Sequence, residues 1–471
     1  MQGPVFRRCV AILMALIATT SVADPVDDYV AGVMEAERIP GLVVLVVEGG
    51  KVTKMRGYGL ANVEHEVPVT ADTIFQSGSV GKQFTAMAVL QLAEAGKLAL
   101  DDPLARHFPG GPAAWHRITI RHLLAHTSGM RDYGPEFDYR RDYNEAELLD
   151  VAAKLPIEFE PGSQWSYSNS GYMVLGVLVS KLAGEHWSEF AAKNIFAPAG
   201  MNTTQVITEG GIVPHRAAGY ERDEDGGLKN QAWVAPPFNT QADGALYFSV
   251  RDLAAWDAAL RERKLMGEAS YAAWWSPVVL TDGHPYPYGF GWEISDQRGR
   301  RVIEHGGSWQ GFRAYIGRYV DDDITIAVLA NVDDADAELI GHEIAGRVER
   351  RLKLPAPDKA TNARRELIAT LRGVLEAWSK WEASPAMGDA LAATRANSPR
   401  EAYSRVTVGE RLANAKRLAY LAEDDLGVGA LERRGGRVVR IVYCVLETTD
   451  AAHRYRFYLA ADGRVLDFGE I

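Results

Sequence analysis

Phe75-Gln76-Ser77-Gly78-Ser79-Val80-Gly81-Lys82-Gln83-Phe84-Thr85 is the stretch on which the reading of this chain turns. Ser79 and Lys82 stand three positions apart, and an apolar helical run follows from Phe84 through Leu92. At a helix start, side chains at i and i+3 share one face, so this hydroxyl and this amine can touch. Acyl-transfer chemistry needs that contact. A serine hydroxyl is a weak nucleophile until a neighbouring base takes its proton, and a desolvated lysine can be that base. The helix start adds free backbone N–H groups and partial positive charge where a tetrahedral oxyanion would form. A lone Ser-x-x-Lys also fits a surface helix capped by its serine. No other serine here has a lysine at +3, however, and two further motifs follow downstream. Ser79 is the candidate nucleophile and Lys82 its base.

The second motif is Tyr167-Ser168-Asn169, the only Tyr-x-Asn in the chain, set in a turn that opens a helix. A phenol beside a lysine ammonium has its anionic form favoured, so Tyr167 is expected to shuttle a proton. The Asn169 amide can donate to a substrate carbonyl or hold the lysine. Alone, the segment would read as a surface loop with a buried tyrosine. The third motif is His305-Gly306-Gly307-Ser308 at a strand end. Its two glycines let a substrate backbone lie against the strand edge, and the Ser308 N–H would be a second oxyanion donor beside that of Ser79.

From about Val30 to Leu352 the chain resembles the serine β-lactamase and penicillin-binding protein family. The likeness is to the branch of class C β-lactamases, D-Ala-D-Ala carboxypeptidases and related esterases. It extends to Leu123-Leu124-x-His126-Thr127-Ser128-Gly129 and to Asp252-Leu253 at a late helix start. The resemblance implies an α+β fold: a five-stranded antiparallel sheet flanked by helices, with a helical subdomain. It implies that Ser79 is acylated, that Lys82 activates it, and that Tyr167 is base in acylation and acid toward the leaving group. Asn169 would position substrate, and His305 with Gly307 would form the third wall. The family's Lys-Thr-Gly is replaced by His305-Gly306-Gly307, as in many members that are not lactamases. A histidine carries only part of a charge at neutral pH, which favours peptidase or esterase substrates over efficient lactam hydrolysis. Arg313 could supply a cation instead, though it also fits an exposed structural arginine. Gly244-Ala245 stands where the family has a glycine pair.

The 471 residues carry a net charge of −11, and removing a leader with two arginines would take this to −13. No basic cluster suggests nucleic acid. Arg7-Arg8, the apolar run Cys9–Val22 and the small residues before Asp24 read as a secretory signal over residues 1–23, with an uncleaved anchor as the alternative. No stable membrane span, and a periplasmic or secreted destination, are expected. Cys444 alone would remain, so no internal disulfide is possible.

Strand signals at Leu42–Glu48 and Lys51–Tyr58 flank a Gly49-Gly50 turn. Four more follow between Phe290 and Asn331, before a helix from Ala335 to Leu352. Residues 131–163 show no clear periodicity. The hydrolase domain is expected over 24–354. Pro355-Ala356-Pro357 reads as a linker to a small α+β domain at 360–471, with strands at Val438–Glu447 and Tyr455–Ala460. No phosphate loop, Gly-x-Ser-x-Gly elbow or metal-ligand spacing is found, so neither cofactor nor metal is assigned. The expected partner is a small-molecule or peptide substrate. The competing class is a catalytically idle member that binds cell-wall peptides or a protein.

Overall fold

The computed structural model describes residues 24–471 apart from 135–136, 208–209, 233–241, 394–398, 427–430, 435 and 450. The leader expected at 1–23 lies outside the described residues. Helix α1 (Pro25–Ala36) is capped by Asp24, whose side chain accepts from the Val26 N–H at 2.9 Å. Strands β1 (Gly41–Glu48) and β2 (Lys51–Asn62) form the expected hairpin. Both turn glycines, Gly49 and Gly50, have positive φ, as a two-residue hairpin turn requires. Then come the two-residue β3 (Val67–Pro68) and β4 (Ile74–Gln76), which leads into the Ser79 turn. Helices α2 (Lys82–Glu94), α3 (Ile120–Leu124), α4 (Glu145–Lys154) and α5 (Asn169–Ala183) form the helical region. Strand β5 (Leu246–Ser249) pairs with β4, and α6 (Val250–Glu262) follows it. Strands β6 (Glu293–Gln297), β7 (Arg300–Trp309), β8 (Phe312–Tyr319) and β9 (Ile324–Ala330) make a meander closed by α7 (Ala337–Val348).

The main sheet runs β6-β7-β8-β9-β1-β2-β3, joining the two ends of this region with the helices inserted between them. The five strands β7, β8, β9, β1 and β2 are the expected antiparallel sheet, and β6 and β3 extend it to seven. β3 is too short to leave a periodic signal. The apolar run of β1 is explained by burial on both faces. Val43, Leu45 and Val47 join the core shared with the helical region. Leu42, Val44 and Val46 pack with residues of α1 and α7. α2 threads the helical core, with every residue from Lys82 to Leu90 buried.

One expectation needs correction. Helix α4 lies inside 131–163, where only Leu148 and Ala152 of the helix are buried, too few to write a clear period. Its start was nevertheless legible, because Asn144 and Glu147 form a reciprocal capping box.

Beyond the Pro357–Lys359 turn, α8 (Arg365–Ser379) and α9 (Pro399–Ala413) precede a four-stranded sheet. Its strands are β10 (Ala415–Asp425), β11 (Arg440–Thr448), β12 (Ala452–Leu459) and β13 (Val465–Glu470), in that spatial order. Only two of the four were expected. β10 is rich in Ala, Lys, Arg and Leu, good helix formers, and pairing with β11 overrides that preference. Leu371, Leu375 and Trp378 pack with Val442, Leu446 and Phe457 in a core of their own. This tail grips the β6–β7 turn. Asp296, fully buried, pairs with Arg433 at 2.7 Å and accepts from the Tyr458 hydroxyl at 2.8 Å. Arg298 donates to Asp424 beside it. The other end of β7 carries His305 to Ser308.

Candidate active site

Ser79 sits one step before the α-helix, in a 3₁₀ turn spanning Gly78–Gly81, and α2 starts at Lys82. The tighter turn brings i and i+3 more nearly into eclipse than an α-turn does, which favours the Ser79–Lys82 contact. Gly78 has φ 48°, and a Cβ there would fall 2.5 Å from the Ser308 nitrogen. A Cβ on Gly307 would fall 2.1 Å from the Ser77 carbonyl oxygen and 3.2 Å from the Ser79 nitrogen. Only glycine at these positions lets β7 lie against the serine turn. That close approach brings the backbone nitrogens of Ser79 and Ser308 to one rim.

Lys82 is fully buried. Its Nζ lies 3.1 Å from Ser79 Oγ, 2.7 Å from Asn169 Oδ1 and 2.5 Å from the Asp243 carbonyl oxygen. Burial lowers its pKa from the usual lysine range to about 8, partly opposed by the carboxylates of Asp243 and Asp132. A neutral amine in this setting donates to Asn169 and to the Asp243 carbonyl, leaving its lone pair for the Ser79 proton. Asn169 is itself aimed: its Nδ2 donates to Asp132 Oδ2 at 2.8 Å, and Asp132 also accepts from the Ser170 N–H at 3.0 Å. Desolvation raises the pKa of both Asp132 and Asp243. The Tyr133 hydroxyl donates to Asp243.

Tyr167, Ser168 and Asn169 straddle the start of α5. Ser168 is the cap, accepting from the Gly171 N–H at 3.2 Å. The Tyr167 hydroxyl is buried, faces Ser79 and has no hydrogen-bond partner at good geometry. Burial pushes its pKa well above the usual phenol value. The expectation that the lysine would favour a tyrosinate is therefore corrected. Lys82 Nζ lies over the face of the ring, 4.8 Å from its centroid, and the phenol stays protonated. The resting Tyr167 is thus a proton donor.

Behind Tyr167 runs a directed chain of hydrogen bonds. The Ser168 N–H donates to His126 Nδ1 at 3.1 Å, so the His126 proton sits on Nε2, 3.1 Å from the Tyr288 hydroxyl. The Tyr288 hydroxyl also meets His305 Nε2 at 3.0 Å, and His305 Nδ1 donates to the Gly306 carbonyl at 2.6 Å. His126 thus carries its proton on Nε2, and both ring nitrogens of His305 are engaged. The His126 ring also stacks on Tyr167 with centroids 4.2 Å apart. His126, Tyr288 and His305 are all buried.

Ser79 opens onto two hollows. The larger, about 470 Å³, includes Tyr167, His305, Gly307, Ser308 and Arg313 and reaches the start of α7. The smaller, about 60 Å³, is lined by Tyr133, Asn169, Asp243 and Trp309 among others. The structure thus gathers Ser79, Lys82, Tyr167, Asn169, His305, Gly307 and Ser308 around one cleft. Sequence reasoning missed Asp132, Asp243, Tyr133 and Tyr288, none of which carries a local signal. His126 had one, in the quoted loop that carries the family likeness, though no role at the site was expected of it.

The family model described as Beta-lactamase matches residues 26–348. Penicillin-binding protein 4* of Bacillus subtilis is 33% identical over 313 residues, covering 62% of this chain and 68% of its own length. A D-aminopeptidase of Gluconobacter oxydans is 29% identical, covering 62% of this chain, which spans only 56% of that relative. The octameric penicillin-binding protein homologue from Pyrococcus abyssi aligns over 93% of this chain and 96% of its own, at a TM-score of 0.63 and 23% identity. That match extends the likeness in fold into the tail. With a matching family model over most of the chain and a convergent Ser-Lys-Tyr cleft, the protein belongs to the beta-lactamase family, whose members here include penicillin-binding and amide-cleaving relatives.

Proposed function

We propose that the chain is a serine hydrolase that opens amide or ester bonds through an acyl-Ser79 intermediate, with amides and peptides of D-amino acids as its first substrate class. The observation that carries this is the Lys82 amine, buried, tuned to about 8 and 3.1 Å from Ser79 Oγ. A base poised near the working pH is what serine activation requires. Neutral Lys82 takes the Ser79 proton as Oγ attacks the carbonyl. The oxyanion rests on the N–H groups of Ser79 and Ser308. Tyr167 gives its proton to the departing amine or alcohol and regains one from the Lys82 ammonium. Water then attacks the acyl-enzyme by the reverse route, restoring Ser79.

The names of the relatives support amides over lactams as the first class, and a histidine on the third wall agrees, since unlike a lysine it offers no fixed charge to a lactam carboxylate. The reading includes a periplasmic or secreted location and a tail at 360–471 that folds on its own core. A fluorescent fluorophosphonate is the direct test. Wild type should take up one label, and Ser79→Ala none. Absence of label on wild type, together with no turnover of p-nitrophenyl esters, nitrocefin or D-alanyl amides, would leave the idle peptide binder as the better reading.

A further inference from the structure

The larger hollow beside Ser79 has a charge that the catalytic reading leaves unused. Glu293, Asp334, Asp336 and Glu338 line it, against Arg313 as its one cation among the described residues. Asp334 pairs with Arg222 at 3.1 Å, and Arg313 donates through Nε to the Asp333 carbonyl. The start of α7 would favour an anion, but Asp336 already caps it, accepting from the Leu339 N–H at 2.9 Å. His305 has both ring nitrogens engaged, Nε2 with the Tyr288 hydroxyl and Nδ1 with the Gly306 carbonyl, so it turns no ring donor toward the hollow. The surroundings of Glu338 record the excess. Glu338 is exposed, and the neighbouring Glu304 and Glu293 raise its pKa above the usual carboxylate range, with His342 opposing them.

Tyr167, whose buried hydroxyl faces Ser79, lines this hollow and not the smaller one. A leaving group must touch the acid that protonates it. The leaving group therefore occupies the larger hollow, and the acyl group the smaller one.

We infer that the acid-lined hollow selects substrates whose leaving group carries a cation, an amine or guanidinium, and disfavours those ending in a carboxylate. This rests on the hydrolase reading above and names the substrate class of the same site. A cation there gains Coulomb attraction to several carboxylates in a partly desolvated cleft, while a carboxylate meets repulsion that Arg313 alone does not offset.

The test compares kcat/KM for D-alanyl-lysinamide, D-alanyl-norleucinamide and the D-alanyl α-amide of glutamic acid, in both configurations of the second residue. These share the scissile bond and differ in side-chain charge. The lysine compound should lead the norleucine compound by about 10-fold at low salt, narrowing in 0.5 M salt, with the glutamic compound slowest. In Asp336→Asn/Glu338→Gln the lysine-to-norleucine ratio should fall to about 2 to 3, and Glu338→Lys should shift preference toward the glutamic compound. Asparagine keeps the helix cap, so the double variant should fold. A wild-type ratio at or below one, or a lead for the glutamic compound, overturns the inference and makes Arg313 the dominant charge. Three uncut amides from a protein that still cleaves p-nitrophenyl acetate overturn it too, with the hydrolase reading intact. No fluorophosphonate label and no ester turnover sink both.

Discussion

Asp132→Asn removes one of the two carboxylates that tune the catalytic amine. Lys82 Nζ is 2.7 Å from Asn169 Oδ1, and Asn169 Nδ2 is 2.8 Å from Asp132 Oδ2, so a single amide bridges ammonium and carboxylate. That spacing puts the two charges about 6 Å apart, where an effective dielectric of about 20 gives an attraction of about 3 kcal/mol, or about two pKa units. Desolvation of Asp132, and Asp243 on the other side, reduce what one substitution can show, so a shift of about one unit or more is expected. The sign is fixed: removing a negative charge destabilises the ammonium, so the Lys82 pKa falls below its value of about 8. The second-order rate of Ser79 acylation by a neutral fluorophosphonate, followed from pH 5 to 10, reports the free enzyme. Its rising limb should have a midpoint near 8 in wild type and move toward 7 or lower in Asp132→Asn. Asparagine keeps the shape but only one of the two acceptor oxygens, so an unchanged melting temperature is the control that the site geometry holds. A midpoint that stays in place or moves to higher pH would refute the claim that this carboxylate acts on the lysine.

Gly307→Ala places a methyl 2.1 Å from the Ser77 carbonyl oxygen, backbone that cannot turn aside. β7 should lift off the serine turn, lowering acylation by about 10²-fold as an oxyanion donor is misplaced; near-normal acylation would disprove the close-approach argument. Asp296→Ala leaves Arg433 buried without its partner at the tail contact. Calorimetry should show a loss of about 3 to 5 kcal/mol, and kcat/KM should fall because β7 runs from that turn to His305. Unchanged stability would show that the tail does not brace the sheet.

How much was legible follows from where each signal is written. The β1–β2 hairpin and the strands of the meander are buried or alternating runs bounded by turn residues, so each could be found from its own segment. Ser79, Lys82 and Tyr167 were legible because Ser-x-x-Lys and Tyr-x-Asn are short spacings that local backbone enforces. Asp132 and Asp243 were not. Each is an ordinary aspartate in an irregular stretch, and what distinguishes them is contact across the fold: Asp132 with Asn169, and the Asp243 carbonyl with Lys82. Tyr288 is silent for the same reason, since its meaning lies in two histidines, one 162 and one 17 residues away. β10 was not foreseen because its composition favours helix, and only its neighbour β11 makes it a strand.

Those hidden carboxylates decide what kind of base Lys82 can be. Burial alone would strip the amine of its charge at every working pH, but it would also leave a feeble base with little drive to take the serine proton. Full hydration would give the opposite failure, an ammonium with no lone pair to offer. Asp132 and Asp243 restore part of what desolvation removes, and the balance settles near 8, where a usable fraction of free amine coexists with appreciable basicity. The position of Asn169 makes this balance possible. By accepting from Lys82 and donating to Asp132, it keeps the carboxylate close enough to act through space yet too far to form an ion pair that would fix the proton on the amine. Replacing Asn169 with aspartate would collapse that separation. The amine should then remain protonated well above neutral pH, with acylation confined to alkaline conditions.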